Sequence, residues 1–374
     1  MRSFLRPQES EKGIHTMNLM ELGWNEYFSA LFEPYRLEGL SPSRVVAQHR
    51  DRCATSGEMG DLLAEVSGRF RHQTTDASGY PTVGDWVALE PFASDRGIIH
   101  AVLERRSAFI RKAAGQTTEA QVVAANVDTV FIVTGLDGNF NIRRIERYLT
   151  AAWDSGASPV IVLNKSDLRD DLAEAVAEVE AIALGTPVTA VSARDGLNVD
   201  SLRRHVGPGK TAALIGSSGA GKSTLINRLL GRDRLPAGPV RESDSRGRHT
   251  TSRRELIALP DGALLIDTPG MRELQLWADE ESLASAFGDV EEIAARCRFA
   301  DCRHESEPGC AVREALAKGA LDPGRLGSFL KQRCELERLA LKQDSRARRQ
   351  LEKAYGRKMA ALMKDLKLRK PNYR

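Results

Sequence analysis

The chain has little cysteine and no long apolar run. Five cysteines in 374 residues are too few for a disulfide scaffold of this length. No apolar stretch approaches the roughly 18–20 residues of a bilayer-spanning helix, so no membrane span is expected, and membrane attachment through the basic tail is the weaker reading. The first residues, MRSFLRPQESEKG, lack the apolar core of a secretory signal, and a cytoplasmic location is the expectation. Internal repeats are missing. Strong one-sided charge is missing too: the formal net charge is +3. That small figure conceals an asymmetry. Residues 331–374 hold 15 Lys/Arg against 5 Asp/Glu, a net of +10, which leaves −7 for the rest of the chain. A basic tail on a mildly acidic body points to a polyanionic partner.

What is present divides into stretches of different texture. The length leaves room for two or three domains. From about Ser43 to Ala114 the sequence is strand-like, with short runs such as PTVGDWVALEP and GIIHAVLERRSAFIRK bounded by Gly, Asp and Pro. About seventy residues of short strands fit a small closed barrel, of which the OB-fold is one form. At Asn126 strand and helix begin to alternate. VDTVFIVTG, PVIVL and TPVTAVSA read as strands, and IRRIERYLTAAWDSG as an amphipathic helix with Gly156 as its stop. DDLAEAVAEVEAIALG is a further helix, TAALIGSSGAGKSTLINRLLG is strand, loop and helix, and ELIALP and ALLIDTPG follow. The alternation predicts a mostly parallel sheet with helices on both faces and ligands at the carboxyl ends of its strands. From about Glu281 the chain turns helical around a Cys/His cluster, and its last forty residues are Lys/Arg-rich helix formers.

Two nucleotide-binding motifs stand in reversed order. Asn164-Lys165-Ser166-Asp167 precedes the loop Gly216-Ser217-Ser218-Gly219-Ala220-Gly221-Lys222-Ser223-Thr224. The second fits G-x-x-x-x-G-K-[ST], between an apolar strand and a helix. Its glycines let backbone N–H groups turn inward on phosphate oxygens, and the helix N-terminus adds partial positive charge. Lys222 would reach the β/γ-phosphates, and Ser223 would offer a hydroxyl to Mg²⁺. In NKSD, Asp167 can accept from guanine N1–H and the exocyclic amine, a donor pair adenine does not present. Asn164 would brace the loops and the Lys165 stem would cover the base. Ser192 and Ala193 end the next strand, where a backbone N–H could bond guanine O6. In ordinary GTPases the phosphate loop comes first and the base reader last.

The γ-phosphate side follows. Asp267-Thr268-Pro269-Gly270 comes straight after the strand ALLI; Asp267 would hold Mg²⁺ and the Gly270 N–H would sense the γ-phosphate. Ahead of it RESDSRGRHTTSRRE reads as a polar switch loop, with Thr250 or Thr251 as the residue closing over the metal. Met271 stands where many GTPases carry a water-orienting Gln, which predicts slow intrinsic hydrolysis, with His249 as the best substitute. Farther on, Cys297, Cys302, His304 and Cys310 form C-x₄-C-x-H-x₅-C, a closed four-ligand set of the structural zinc type, one ion per chain. Cys53 and Cys334 read as ordinary free thiols.

Taken together, the order NKSD, VSA, GSSGAGKST, switch loop and DTPG resembles the circularly permuted GTPases. VGDWVAL, RKAAG and GRHTT, with a barrel ahead and the Cys/His cluster behind, narrow the resemblance to the ribosome small-subunit-dependent GTPase A (RsgA/YjeQ) family, over roughly residues 20–340. It implies a multidomain α/β chain: an OB-fold barrel at 36–118, a circularly permuted GTPase domain at 119–280 and a mostly helical zinc domain at 281–340; a leader at 1–35 and a basic tail at 341–374 are read from the sequence and are poorly covered by the resemblance. It further implies GTP hydrolysis to GDP and phosphate, stimulated by the small (30S) ribosomal subunit late in its maturation, with 16S rRNA as partner. Guanine and phosphate contacts fall on the residues named above, and His249 matches a switch-loop histidine thought to assist hydrolysis. A monomer is expected. The competing reading is an RNA-binding scaffold that uses guanine nucleotide as a conformational or sensing ligand, kept in play by Met271; an ATP-dependent enzyme is disfavoured by Asp167. The permuted order also makes DTPG feed directly into the zinc domain, which would tie switch movement to that domain's grip on RNA.

Overall fold

The computed structural model describes residues 18–49, 51–112, 120–233, 254–267, 280–304 and 307–338. The first helix, α1 (Glu26–Leu37), starts at Asn25, whose side chain accepts from the amides of Tyr27 and Phe28. One turn apart on its inner face, Phe28 and Phe32 pack with Leu22, Trp24 and Leu103 on Trp86. The Trp24 and Trp86 rings meet edge-on at 4.7 Å. The described residues 18–37 are therefore a lid on the barrel, although a leader was expected through residue 35. Pro34 inside the helix blurs the helical period that would have revealed it.

Five strands form the barrel: β1 (Ser41–Gln48), β2 (Cys53–Gly57), β3 (Gly60–Val66), β4 (Trp86–Ala93) and β5 (Arg96–Val102). They pair in the order β1-β2-β3-β5-β4, and β4 returns to β1, which closes the cylinder. Alternate side chains, among them Val45, Leu62, Val87, Leu89 and Ile99, fill the inside. Cys53 lies among them, and burial together with nearby Asp85 pushes its thiol up to about 12. That leaves it protonated and inert at neutral pH. A ribbon follows, β6 (Ala108–Lys112) paired antiparallel with β7 (Ala120–Ala125). A boundary between residues 118 and 119 would cut it.

The second unit alternates β8 (Thr129–Gly135), α3 (Ile142–Asp154), β9 (Ser158–Asn164), α4 (Leu172–Ala183), β10 (Val188–Val191), β11 (Thr211–Ile215) and α5 (Lys222–Leu230), then adds β12 (Arg254–Ala258) and β13 (Leu264–Asp267); a short α2 (Gly68–Gln73) belongs to the barrel. The order across the sheet is β10-β9-β8-β11-β13-β12, parallel except for β12. β8 and β11 are buried at every residue, as strands covered on both faces must be. α3 and α4 cover one face, α5 the other. β12 also pairs with β1 through Ala47↔Glu255 and Gln48↔Arg254, so one sheet runs on into the barrel.

The carboxyl-terminal unit comprises α6 (Glu280–Ala286), α7 (Gly288–Ala294), α8 (Ala311–Ala317) and a helical stretch over residues 323–338. Its Phe287, Val312 and Phe329 belong to the same apolar core as Ile145 and Leu149 of α3. Arg325, 3% exposed, fixes the contact. Its guanidinium reaches Asp289 at 2.6 and 2.7 Å, Glu146 of α3 at 2.9 Å and the Ala286 carbonyl at 3.0 Å, and lies over the Phe287 ring. A buried cation so bonded is satisfied on every side.

Candidate functional site

The site lies where β8, β9, β10, β11 and β13 end. β11 runs into the phosphate loop, and two glycines there are obligatory. Gly216 has φ +147°, and a Cβ on it would stand 2.1 Å from the Val133 carbonyl oxygen of β8. Gly221 has φ +92°, and its Cβ would stand 2.2 Å from Asn164 Nδ2. α5 begins at Lys222, with Ser223 and Thr224 in its first turn. The Lys222 ammonium donates to the carbonyls of Gly216 and Ser217, both at 2.6 Å, which centres it over the loop. An ammonium above a glycine loop at a helix N-terminus is built for phosphate.

Asn164 binds the two halves of the site together. Buried at the end of β9, it donates from Nδ2 to the Ala220 carbonyl (2.9 Å) and accepts at Oδ1 from the Ala193 amide (3.0 Å). One side chain thus joins NKSD, the phosphate loop and the VSA segment. Lys165 follows with φ +65°, a left-handed turn that leaves Asp167 exposed beyond it. Lys165 Nζ reaches Asp137 Oδ2 at 2.5 Å, and its stem passes 3.4 Å from the position of a Cβ on Gly135. Partial burial would raise the Asp137 carboxyl, but the bonds from Lys165 and the Asn139 amide outweigh it and hold it below the usual carboxylate range. Asp137 was missed in the sequence; its signal is the LDGN turn directly after β8. Arg228 of α5 was missed as well; it donates to the Ala193 carbonyl at 2.9 Å and also to that of Arg194.

The amides expected to meet guanine O6 are engaged here: Ser192 N–H donates to the Leu197 carbonyl and Ala193 N–H to Asn164. The Ser192 hydroxyl pairs with Asp195 at 3.1 Å. Asp267 is the last residue of β13, beside β11, and its carboxylate and the Ser223 hydroxyl are the hard oxygen donors that suit Mg²⁺.

The cysteine cluster assembles as its spacing predicts. The ligand atoms of Cys297, Cys302, His304 and Cys310 all lie within 4.8 Å of one another. Cys297 Sγ is 3.9 Å from Cys310 Sγ and 3.7 Å from His304 Nδ1, and Cys310 Sγ is 3.5 Å from that nitrogen. Tetrahedral zinc with bonds of about 2.0–2.3 Å needs ligand separations of about 3.5–3.8 Å; Cys297, His304 and Cys310 stand close to that and Cys302 lies within 4.8 Å of each, a donor set that suits the ion. Burial, then Arg333, lowers His304 below its ordinary pKa, which favours the neutral imidazole a metal takes. Burial and the neighbouring thiols push Cys302 up to about 11, against an amide bond from His304. Three thiols that crowd one another lose their protons together only against a cation.

Comparison with known proteins places this architecture. Residues 102–277 match the model of the RsgA GTPase. A small ribosomal subunit biogenesis GTPase RsgA from Opitutus terrae is 52% identical over 325 residues, 84% of this chain and 89% of that protein. The chain belongs to the RsgA GTPase family. A second RsgA, from Syntrophotalea carbinolica, is 46% identical over 88% of this chain and 92% of its own length. Among solved structures, YjeQ from Thermotoga maritima superposes with a TM-score of 0.60 at 29% identity, covering 79% of this chain and 98% of its own. YloQ, a circularly permuted GTPase, shares the fold with a TM-score of 0.57 at 24% identity, over 80% of this chain and 95% of its own. The reversed motif order is therefore that of a permuted GTPase, and this RsgA-family chain hydrolyses GTP. His249, Thr250, Thr251, Gly270, Met271 and the tail at 341–374 lie outside the described residues.

Proposed function

We propose that this chain hydrolyses GTP to GDP and phosphate as a timed step late in maturation of the small (30S) ribosomal subunit, in contact with 16S rRNA, in the cytoplasm and as a monomer. The relatives' names supply the process. The observation that carries the guanine-nucleotide reading is the Asn164 tie, which joins the base-reading loop to the phosphate loop despite their order in the chain. Asp167 accepts from the guanine edge, the Lys165 stem covers the base face, and Asp137 holds that lysine in place. The Ser192 and Ala193 amides, which the sequence assigns to guanine O6, are both bonded in this structure, and the next amide of the turn, that of Arg194, takes it instead. Residues 216–224 wrap the phosphates, and Lys222 offsets the charge that spreads over the transferring phosphoryl group. Ser223 and Asp267 would hold Mg²⁺, which would supply positive charge against the phosphate oxygens. Thr250 or Thr251 closes the site, Gly270 senses the γ-phosphate, and His249 assists the attacking water. Cys297, Cys302, His304 and Cys310 would hold one structural Zn²⁺, which would tie these four residues together. The barrel, the zinc unit and the basic tail supply the RNA contacts.

The test is GTP turnover with and without purified small subunits. Strong stimulation that Lys222→Ala abolishes is the expected result. Turnover that subunits leave unchanged would refute the timer and favour the alternative, an RNA-binding scaffold in which guanine nucleotide is only a sensing ligand.

A further inference from the structure

The far end of the sheet holds a cleft that nucleotide binding does not use. It measures about 330 Å³ and lies where α1, the barrel and the amino-terminal ends of β8, β9 and β11 meet. Its lining is mostly polar, and it carries three permanent cations, Arg44, Arg106 and Lys210, against one carboxylate, Asp128. Arg44 is structural. It is 2% exposed, and burial lowers it to about 10, still charged at neutral pH. It bonds the Gly84 carbonyl at 3.2 Å, the Thr211 hydroxyl at 2.9 Å, the Asn126 carbonyl at 3.3 Å and the Leu22 carbonyl. Its charge nonetheless sits in the cleft wall.

The mouth differs. Arg106 is exposed, and its guanidinium lies 5.8 Å over the ring of Tyr27, itself 38% exposed on α1. Lys210 is exposed too, 3.1 Å from Asp128. A cation-rich polar pocket of this size, beside an exposed aromatic ring backed by arginine, is how proteins hold unpaired nucleotides: phosphate on the cations, a base on the ring.

We propose that this seam cleft receives one unpaired nucleotide of an RNA partner, its phosphate at Arg106 and Lys210 and the adjoining base on Tyr27. The inference rests on the reading of RNA as the partner. The position adds a consequence. Thr129, Ser158 and Thr211 line the cleft as the first residues of β8, β9 and β11. The same strands end at Gly135, Asn164 and Ile215, in the nucleotide site. A nucleotide in the seam therefore touches the starts of the strands whose ends carry the GTP-binding loops.

The test uses the full chain and a fluorescently labelled, unstructured RNA 12-mer containing 4-thiouridine, read by anisotropy and by photocrosslinking. The parent protein binds the single strand, and its cross-links fall on 24–28 and 204–211. Tyr27→Ala and Arg106→Ala each weaken binding about five- to tenfold, Arg106→Lys weakens it less, and guanine-nucleotide affinity stays at the parent value. Binding by both alanine variants within twofold of the parent, cross-links that avoid both segments, or equal affinity for a duplex of the same sequence would overturn the proposal. A parent protein that binds neither the 12-mer nor purified small subunits would instead remove the RNA-partner reading beneath it.

Discussion

Replacing Asn164 by alanine tests the central geometric claim. Its amide satisfies two backbone groups on two loops, the Ala220 carbonyl at 2.9 Å and the Ala193 N–H at 3.0 Å, and the residue is 2% exposed. Alanine leaves both groups without their partner in a place water reaches poorly. An unsatisfied buried group costs about 1–3 kcal/mol, so the braced arrangement loses about 2–4 kcal/mol after partial relaxation. If the braced arrangement is the one that binds, affinity falls by the fraction of protein that leaves it. Four kcal/mol sets an upper bound of several hundredfold, and we expect between tenfold and a few hundredfold. Asn164→Asp discriminates further. It keeps an acceptor for Ala193 but sets a carboxylate oxygen against the Ala220 carbonyl, and so should be at least as damaging as alanine. The assay is fluorescent-GDP binding by stopped flow, which separates a faster off-rate from a slower on-rate. Affinity for Asn164→Ala within twofold of the parent, or an aspartate variant that binds better than the alanine one, would refute the reasoning.

Three further outcomes follow from the same geometry. Asp167 is exposed, so Asp167→Asn should leave the unfolding midpoint unchanged while GDP affinity falls at least tenfold, since an acceptor facing two guanine donors has become in part a donor; an unchanged affinity in equilibrium binding removes Asp167 as base reader. Glu146→Ala leaves the Arg325 guanidinium buried without one of its carboxylates and should cost about 3–5 kcal/mol in urea unfolding, whereas Arg325→Met, which deletes the charge, should cost less; the reverse order contradicts the account. Zinc removal by a chelator should raise amide exchange across 297–317 and leave GDP affinity near its original value, because the cluster and the phosphate loop share no ligand; exchange that does not change would mean the cluster holds no ion.

The parts of this molecule legible in its sequence are those whose chemistry is local. GSSGAGKST needs its glycines within nine residues of one another because one loop must wrap one phosphate chain. The cysteine set is equally compact, and the strands announced themselves because burial on both faces demands unbroken apolar runs. The brace made by Asn164 was expected from its motif, and the structure adds its two partners. What stayed hidden was nonlocal. Arg325 and Glu146 are 179 residues apart, and an arginine on a helix reads in sequence as a solvated face. Lys165 was read as a cover for the base; that it also pairs with Asp137, 28 residues upstream, depends on β8 and β9 being neighbours. The lid formed by α1 went unseen because its aromatic face matters only once Trp86 is beneath it.

The permuted order gains a different meaning from the way the carboxyl-terminal unit is attached. In the chain that unit follows β13, the strand ending in Asp267, and a direct mechanical link from the γ-phosphate sensor to the zinc cluster is the natural inference. In space the unit rests on α3, between β8 and β9, with a shared apolar core and the Arg325–Glu146 pair at 2.9 Å. Swinging it away from α3 would break the Arg325–Glu146 pair, with Arg325 keeping Asp289, and would uncover the shared apolar core, a cost of several kcal/mol in lost burial. The differential affinity of GTP over GDP would have to supply all of it. A smaller movement suffices if the unit travels with α3. α3 enters from the Asp137 turn that positions Lys165 and leaves into β9, which ends at Asn164. On the proposed function, α3 gives the described residues a structural path from the base-binding side to the carboxyl-terminal unit.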